Sequence, residues 1–598
     1  MSKALALALA LVAAALSAAP QLGAGQTTEF PGCLPSIGLS LQRLSSFKSG
    51  PWTGTSSMEV LDYDPFSKLS AVVEARAQNV LALLVLNHAD PANPSIHLRI
   101  NVSTSAGEGG TVGVPNSVSV YNGYAALSLD GVPATAPGIL RIYNLASGLK
   151  VGEAVLPGCA MPDSVAWTRD GGRIVVACEG EPATQVRAVV NDNAMCAAPI
   201  PWRTPANPVG AIAIVTATRT GSFTPAGSYP TYFYSLSSKL LSFQTYIDSL
   251  TDAAYAALLD KGMRVDPRLT KATAGRDIEP EYVAIPADKK NYNAYVTLQE
   301  NNAVAVVDIT PGRERIKAIW PLGWKNWTSA SIDPSDKDGT RLRPVPGLYS
   351  WQQPDTIVHE AIGARSYLFI ANEGDSKAEA LAAKDLTAAA LDPEAFPNAA
   401  ALLADTELGR LSIDPLSGLK NGYDKTKAFD KQGPYNKLFA YGGRSWAVLD
   451  AETGEMVYES GDALEQLIAA DPVASRCFNC DRNANIPDTR SDNAGPEPEA
   501  VEVFKLGNKT FVAIGLERMG GFVLYDVSSP AAPILGGYVY NRDFGAAPET
   551  STSKLGDLAP EGIKFVAAGD SNTGKPLLLL ANEVSATVSA WEVTACQP

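Results

Sequence analysis

Histidine is scarce, with three residues in a chain of 598. So few imidazoles argue against a His-rich metal centre, and no His-Glu-x-x-His pair is present to hold catalytic zinc. A Gly-x-Ser-x-Gly elbow and a P-loop are also missing, which removes support for Ser-triad hydrolases and nucleotide kinases. Basic residues are outnumbered, 48 Lys and Arg against 63 Asp and Glu, for a formal charge of −15. That sign argues against nucleic-acid partners and favours divalent cations or cationic surfaces. Long apolar runs are absent beyond the start of the chain. Leu577–Ala581 is short and followed by polar residues, so no transmembrane segment is expected in the mature protein.

The start itself reads as a secretory signal over residues 1–19. Lys3 supplies the basic end, Ala4 to Leu16 the apolar stretch, and Ser17-Ala18-Ala19 the small-residue cleavage region. An exported chain makes disulfides the natural reading of its seven cysteines. Cys33 and Cys596 lie near the two ends and are expected to bridge. Cys477 and Cys480 form a tight local pair with no partner CxxC to make a zinc site. Cys178 and Cys196 flank the exit of one repeat, leaving Cys159 as the odd thiol.

What the chain has in abundance is a proline, then an acid or amide, then a short apolar strand. Six copies stand at Pro115-Asn116, Pro162-Asp163, Pro280-Glu281, Pro354-Asp355, Pro498-Glu499 and Pro560-Glu561, and a seventh keeps only Glu59 before Val60. A second apolar run follows each mark and ends in another acid, at Glu74, Asp130, Glu179, Glu300, Glu373, Glu517 and Glu583. The two acids of a copy are 14 residues apart at the least (Asn116 to Asp130) and 22 at the most (Glu561 to Glu583). Two strands of about five or six residues with a short turn occupy that length. In an antiparallel pair both acids then fall at the same end of the hairpin.

Seven hairpin units with no helix in the repeat predict an all-β, seven-bladed β-propeller, the closed ring that leaves few sheet edges exposed. One domain, 33–598, would contain all the marks, with helical and loop insertions at about 191–275 and 376–493. A helix is expected after Thr251, and another over Ala378–Leu391. Cys477 to Asn493 shows no period and reads as loop. The N-terminal stretch Ile37–Leu44 alternates like a strand and is expected to complete the last blade, so that both chain ends sew the ring shut.

If the first strand of each blade lines the channel, one mouth is strongly anionic. The candidate cation ligands are Glu59, Asp163, Glu281, Asp355, Glu499 and Glu561 in the first series, with Glu179, Glu300, Glu373, Glu517 and Glu583 in the second. Calcium is the hard cation that takes six to eight such oxygens. Arg276, Arg490 and Arg518 stand beside acids in sequence, so structural ion pairs are the competing account. With a cation, the same arginines are candidate phosphate-binding groups of a metal-assisted phosphoesterase. The loop Asp333-Pro-Ser-Asp-Lys-Asp-Gly339 resembles a calcium loop but lacks the EF-hand spacing and its closing Glu. His359 lies on a first strand beyond Asp355, where it either faces the same channel or, as the favoured expectation, is a hydrogen-bonded core residue. Sequons at Asn101, Asn326 and Asn508 allow N-glycosylation.

Several longer segments carry a resemblance. Arg276-Asp-Ile-Glu-Pro-Glu-Tyr-Val-Ala-Ile285, Ala294 to Asp308, Ala371-Asn-Glu-Gly-Asp375, Tyr441-Gly-Gly-Arg-Ser445, Asp488 to Glu499 and Gly515-Leu-Glu-Arg518 resemble, in order, the choice-of-anchor I family. The likeness spans about residues 37–595. It implies an exported propeller of the cell surface or matrix, as in the mesenchyme-specific glycoproteins of biomineralising animals, with some relatives described as atypical alkaline phosphatases. No C-terminal anchor is evident, a departure from a tethered surface protein. Calcium-binding surface protein, calcium-dependent phosphoesterase and protein-interaction platform with structural acids are the three readings this leaves.

Overall fold

The computed structural model describes residues 32–49, 58–76, 80–103, 112–180, 207–224, 230–288, 291–376, 380–427 and 431–596. The expected signal segment and Cys196 lie outside these residues. The architecture is all-β, in eight antiparallel or mixed sheets of four or five strands. Seven sheets begin at the repeat marks. Their first strands are Leu61–Asp64, Pro115–Tyr121, Pro162–Trp167, Val283–Ala284, Pro354–Ile362, Pro498–Leu506 and Pro560–Val566. Each touches the next in this order, and the last touches the first, so the seven close a cycle around a common channel.

Closure uses both chain ends. Leu39–Lys48 pairs antiparallel with Thr587–Ala595, from Leu39 opposite Ala595 to Lys48 opposite Thr587. Its alternation explains the docking: Leu39 and Leu41 are buried with Phe522, Leu578, Leu580 and Trp591, while Gln42 faces outward. The Cys33–Cys596 disulfide locks this seam, and Cys477–Cys480 closes its local loop. The remaining bridge differs from expectation. Cys178 pairs with Cys159, not Cys196, because the last residues of Lys150–Ala160 run beside the end of Arg173–Cys178 and bring the two Cα atoms to 4.9 Å.

Two expected insertions are also redrawn. Within 191–275, Ala211–Phe223 and Thr231–Ser242 are the outer strands of the third sheet, paired along nearly their whole length. Among the described residues of that range only the turns after Ser242 are helical, including Asp252–Asp260, where the Thr251 side chain accepts from the Ala254 N–H. The eighth sheet is the larger surprise. It is built from Trp324–Asn326, Leu348–Trp351, Leu438–Ala440, Ser412–Ile413 and Leu381–Ala382, so it begins well before residue 376. The helix expected over Ala378–Leu391 is replaced by a two-residue strand and two single 3-10 turns, with residues 377–379 outside the described set. Burial of Ala383 and Leu391 in the core of this sheet overrides the helical propensity of the alanines.

Replacing Cys33 with Ser should lower unfolding stability by about 2–5 kcal/mol. Calorimetry of the oxidised wild type and C33S checks this, and the fold should survive because the Leu39–Lys48 pairing remains.

Candidate functional site

The proline marks have a structural purpose. Proline opens the strand, where a ladder N–H is not required. Immediately after it the pairing slips: the register is irregular between Pro115 and Val118, Pro162 and Val165, Pro354 and Ile357, Pro498 and Val501, and Pro560 and Gly562. Asn116, Asp163, Asp355, Glu499 and Glu561 therefore sit in bulges, which re-aim a side chain away from the regular face. The residues before four of these prolines, Met161, Gln353, Glu497 and Ala559, adopt left-handed backbone, with φ between 47° and 57°. Such strain costs about 1–3 kcal/mol per residue, and in proteins generally it clusters at active sites and ligand clamps. It also turns a carbonyl toward the second acid. The N–H groups of Glu179, Glu517 and Glu583 donate to the carbonyls of Met161, Glu497 and Ala559 at 3.0, 2.9 and 2.7 Å.

First-series and second-series acids consequently share one mouth of the channel. One carboxylate oxygen from each of Glu373, Glu499 and Glu517 lies within 4.8 Å of the others, and the same holds for Glu517, Glu561 and Glu583. Glu281 stands in the field of Glu300, Asp355, Asp163 and Glu179, and Glu59 in that of Glu583 and Asp163. All eleven candidate acids thus belong to one electrostatic neighbourhood. Burial first, and then mutual repulsion, lifts Glu281, Asp355, Glu373, Glu499 and Glu561 well above the usual carboxylate range. Glu59 is pushed up to about 8 and Asp163 to about 7, again mainly by burial. Buried oxygens of Glu281, Asp355 and Glu499 receive no hydrogen bond.

Some of the charge is answered within the protein. Burial works to raise Glu497, but Arg518 and Arg490 outweigh it and hold that carboxylate low. Gln299 Nε2 donates to Glu373 at 2.6 Å, and Asn116 Nδ2 donates to Asp130 at 2.9 Å. Arg482 is the residue that sequence reasoning missed. It reaches in from the aperiodic loop after Cys480 and pairs with both Glu517 and Glu583, the latter at 2.8 Å. Arg276, grouped in sequence with Arg490 and Arg518, lies elsewhere: its guanidinium donates to the carbonyl of Asn207 and lines a separate cavity.

Beyond the acid mouth the inner strands enclose a cavity of about 240 Å³, lined by Ser117, Ser119, Ser164, Tyr282, Thr356 and His359 among others. His359 is therefore a channel residue and not the hydrogen-bonded core residue expected. Its ring stacks on Tyr295 at 5.7 Å, and neither nitrogen makes a hydrogen bond to another residue.

A family model described as the choice-of-anchor I domain matches residues 59–530, most of the length over which these acids are distributed. The chain belongs to the choice-of-anchor I family. Gigasin-3a of Magallana gigas is 31% identical over 206 residues, 32% of this chain and 66% of that protein. The mesenchyme-specific cell surface glycoprotein of Strongylocentrotus purpuratus is 26% identical over 246 residues, 35% of this chain and 30% of that protein. This choice-of-anchor I chain therefore aligns with just under two thirds of one curated relative and less than a third of the other. Among solved structures, the WD40 domain of Toxoplasma gondii coronin gives a TM-score of 0.42 at 7% identity, covering 94% of this chain and 87% of that domain. The WD40 repeats of RRP9 give 0.41 at 7%, covering 93% and 97%.

The raised carboxyls make a signed pH prediction. Between the ordinary value of 4.5 and about 8, the value for Glu59 and Glu517, the folded protein holds protons that the unfolded chain has released. Metal-free stability should therefore fall as pH rises through that window. Thermal melts in chelator from pH 5 to pH 8 check the slope.

Proposed function

We propose that this protein is an exported, seven-bladed β-propeller glycoprotein of the cell surface or extracellular matrix that binds calcium at the acid mouth of its channel. The observation carrying the proposal is the pair of carboxylate triads joined at Glu517, with buried oxygens nearby that receive no hydrogen bond. Oxygens coordinating one calcium ion at about 2.4 Å lie no more than about 5 Å apart, which suits both triads. Export is favoured by the three disulfides, which persist in oxidising compartments. No helix among the described residues is long and apolar enough to cross a membrane. Asn101, Asn326 and Asn508 are all exposed and accessible to glycosylation. The name of the sea urchin relative points the same way for location.

The proposed count of seven blades is supported by the seven sheets whose first strands touch in a cycle, with the eighth sheet read as an elaboration outside it. A phosphoesterase on the same scaffold is the second reading, favoured by Arg482 and Arg518 standing beside the triads. To hold a phosphate they must first release Glu517, Glu583 and Glu497, so binding without turnover takes precedence. A platform with purely structural acids is the third.

Chelator-stripped protein should melt higher when calcium is added, by more at pH 8 than at pH 5, and should not hydrolyse p-nitrophenyl phosphate. The double variant Glu499→Gln, Glu561→Gln should lose most of the calcium shift. Calcium-dependent turnover would instead establish the phosphoesterase, and a melt indifferent to metal at both pH values would leave the acids structural.

A further inference from the structure

Arg482 differs from the other arginines at the mouth in where its charge goes. Arg490 and Arg518 flank Glu497, which belongs to neither carboxylate triad, and Arg518 also approaches Glu517 at 3.2 Å. Arg482 pairs with Glu583 at 2.8 Å and with Glu517, the acid that both triads share. Among the described residues its guanidinium makes no other hydrogen bond or ion pair.

The chain around Arg482 is held firmly. The Cys477–Cys480 disulfide closes the turn just before it. Arg542, a fully buried residue, donates to the carbonyls of Asp481 and Ala484 at 2.8 and 3.1 Å and to Asn485 Oδ1 at 3.1 Å. Asn485 Nδ2 in turn donates to the Asp543 carbonyl at 2.6 Å. The Arg482 side chain, by contrast, is 32% exposed, against 3% for Glu517 and 10% for Glu583. A guanidinium that is already partly hydrated can leave by side-chain rotation, with its backbone in place.

A cation held by either triad takes an oxygen of Glu517, and one held by the second triad takes an oxygen of Glu583 as well. These are the carboxylates that the guanidinium occupies. Two positive groups within a few ångströms of each other in a poorly hydrated space repel strongly. Resting on the calcium reading above, we propose that Arg482 is a tethered competitor for the mouth: it fills the cation-free site, and calcium binds by displacing it from Glu517 and Glu583. The calcium affinity is then set by this exchange and not by the carboxylates alone. A competitor seated about nine-tenths of the time lowers the apparent affinity about tenfold.

The test is calcium titration by isothermal calorimetry on the full-length, chelator-stripped wild type and on Arg482→Gln and Arg482→Lys, with circular dichroism to confirm folding. R482Q should bind calcium about tenfold or more tightly than wild type. R482K should fall between them, because a lysine keeps the charge but lacks the planar fork that spans two carboxylates. If R482Q does not fold, a tighter R482K carries the same conclusion and an unchanged one overturns it. Calcium binding by wild type with equal or weaker binding by folded R482Q overturns the competitor and leaves the calcium reading standing. Binding by R482Q alone supports the competitor and removes calcium from the native protein's function. No uptake by any of the three overturns both.

Discussion

Carboxylates gathered in a poorly hydrated space repel one another, and at the channel mouth that repulsion is the term every other feature must accommodate. Two carboxyls a few ångströms apart already resist joint ionisation, and here Glu499, Glu517 and Glu561 meet with Glu373 and Glu583 on either side. The arrangement persists because the fold over-determines it. A cycle of inner strands fixes the mouth, bulges after the prolines turn the first acids into it, and left-handed residues before the prolines anchor the second acids by their backbone.

Guanidinium groups resolve the repulsion only on one side. Arg490 and Arg518 neutralise Glu497, and Arg482 spans Glu517 and Glu583. No arginine pairs with Glu281, Asp355 or Glu499 among the described residues, and burial raises these carboxyls well above the usual carboxylate range.

The sequence made the mouth legible because its determinants are local and repeated. A proline followed by an acid, recurring before an apolar run, states both where a strand begins and which residue precedes its regular pairing. The seam was legible for a similar reason, since Cys33 and Cys596 flank segments whose alternation demands a partner. The eighth sheet had no such signal. Its strands are two to four residues long, and Leu348–Ser350 pairs in parallel with Leu438–Ala440 across a wide gap in sequence. Cys159 could not be assigned to Cys178 from spacing, as cysteine positions do not specify connectivity. Arg482 lies in an aperiodic loop, where nothing local reveals that a side chain will reach acids on two other sheets. The alanines after residue 378 carried a strong helical preference that packing of Ala383 and Leu391 reversed.

The central claim is that the converging carboxylates are a cation site. Crystals grown in calcium and measured for anomalous scattering test it most directly. A peak coordinated by Glu517 together with Glu373 and Glu499, or with Glu561 and Glu583, is the predicted result. A mouth in which these side chains keep their arginine pairs and hydrogen-bond to one another as protonated acids, with no anomalous density at saturating calcium, would contradict it.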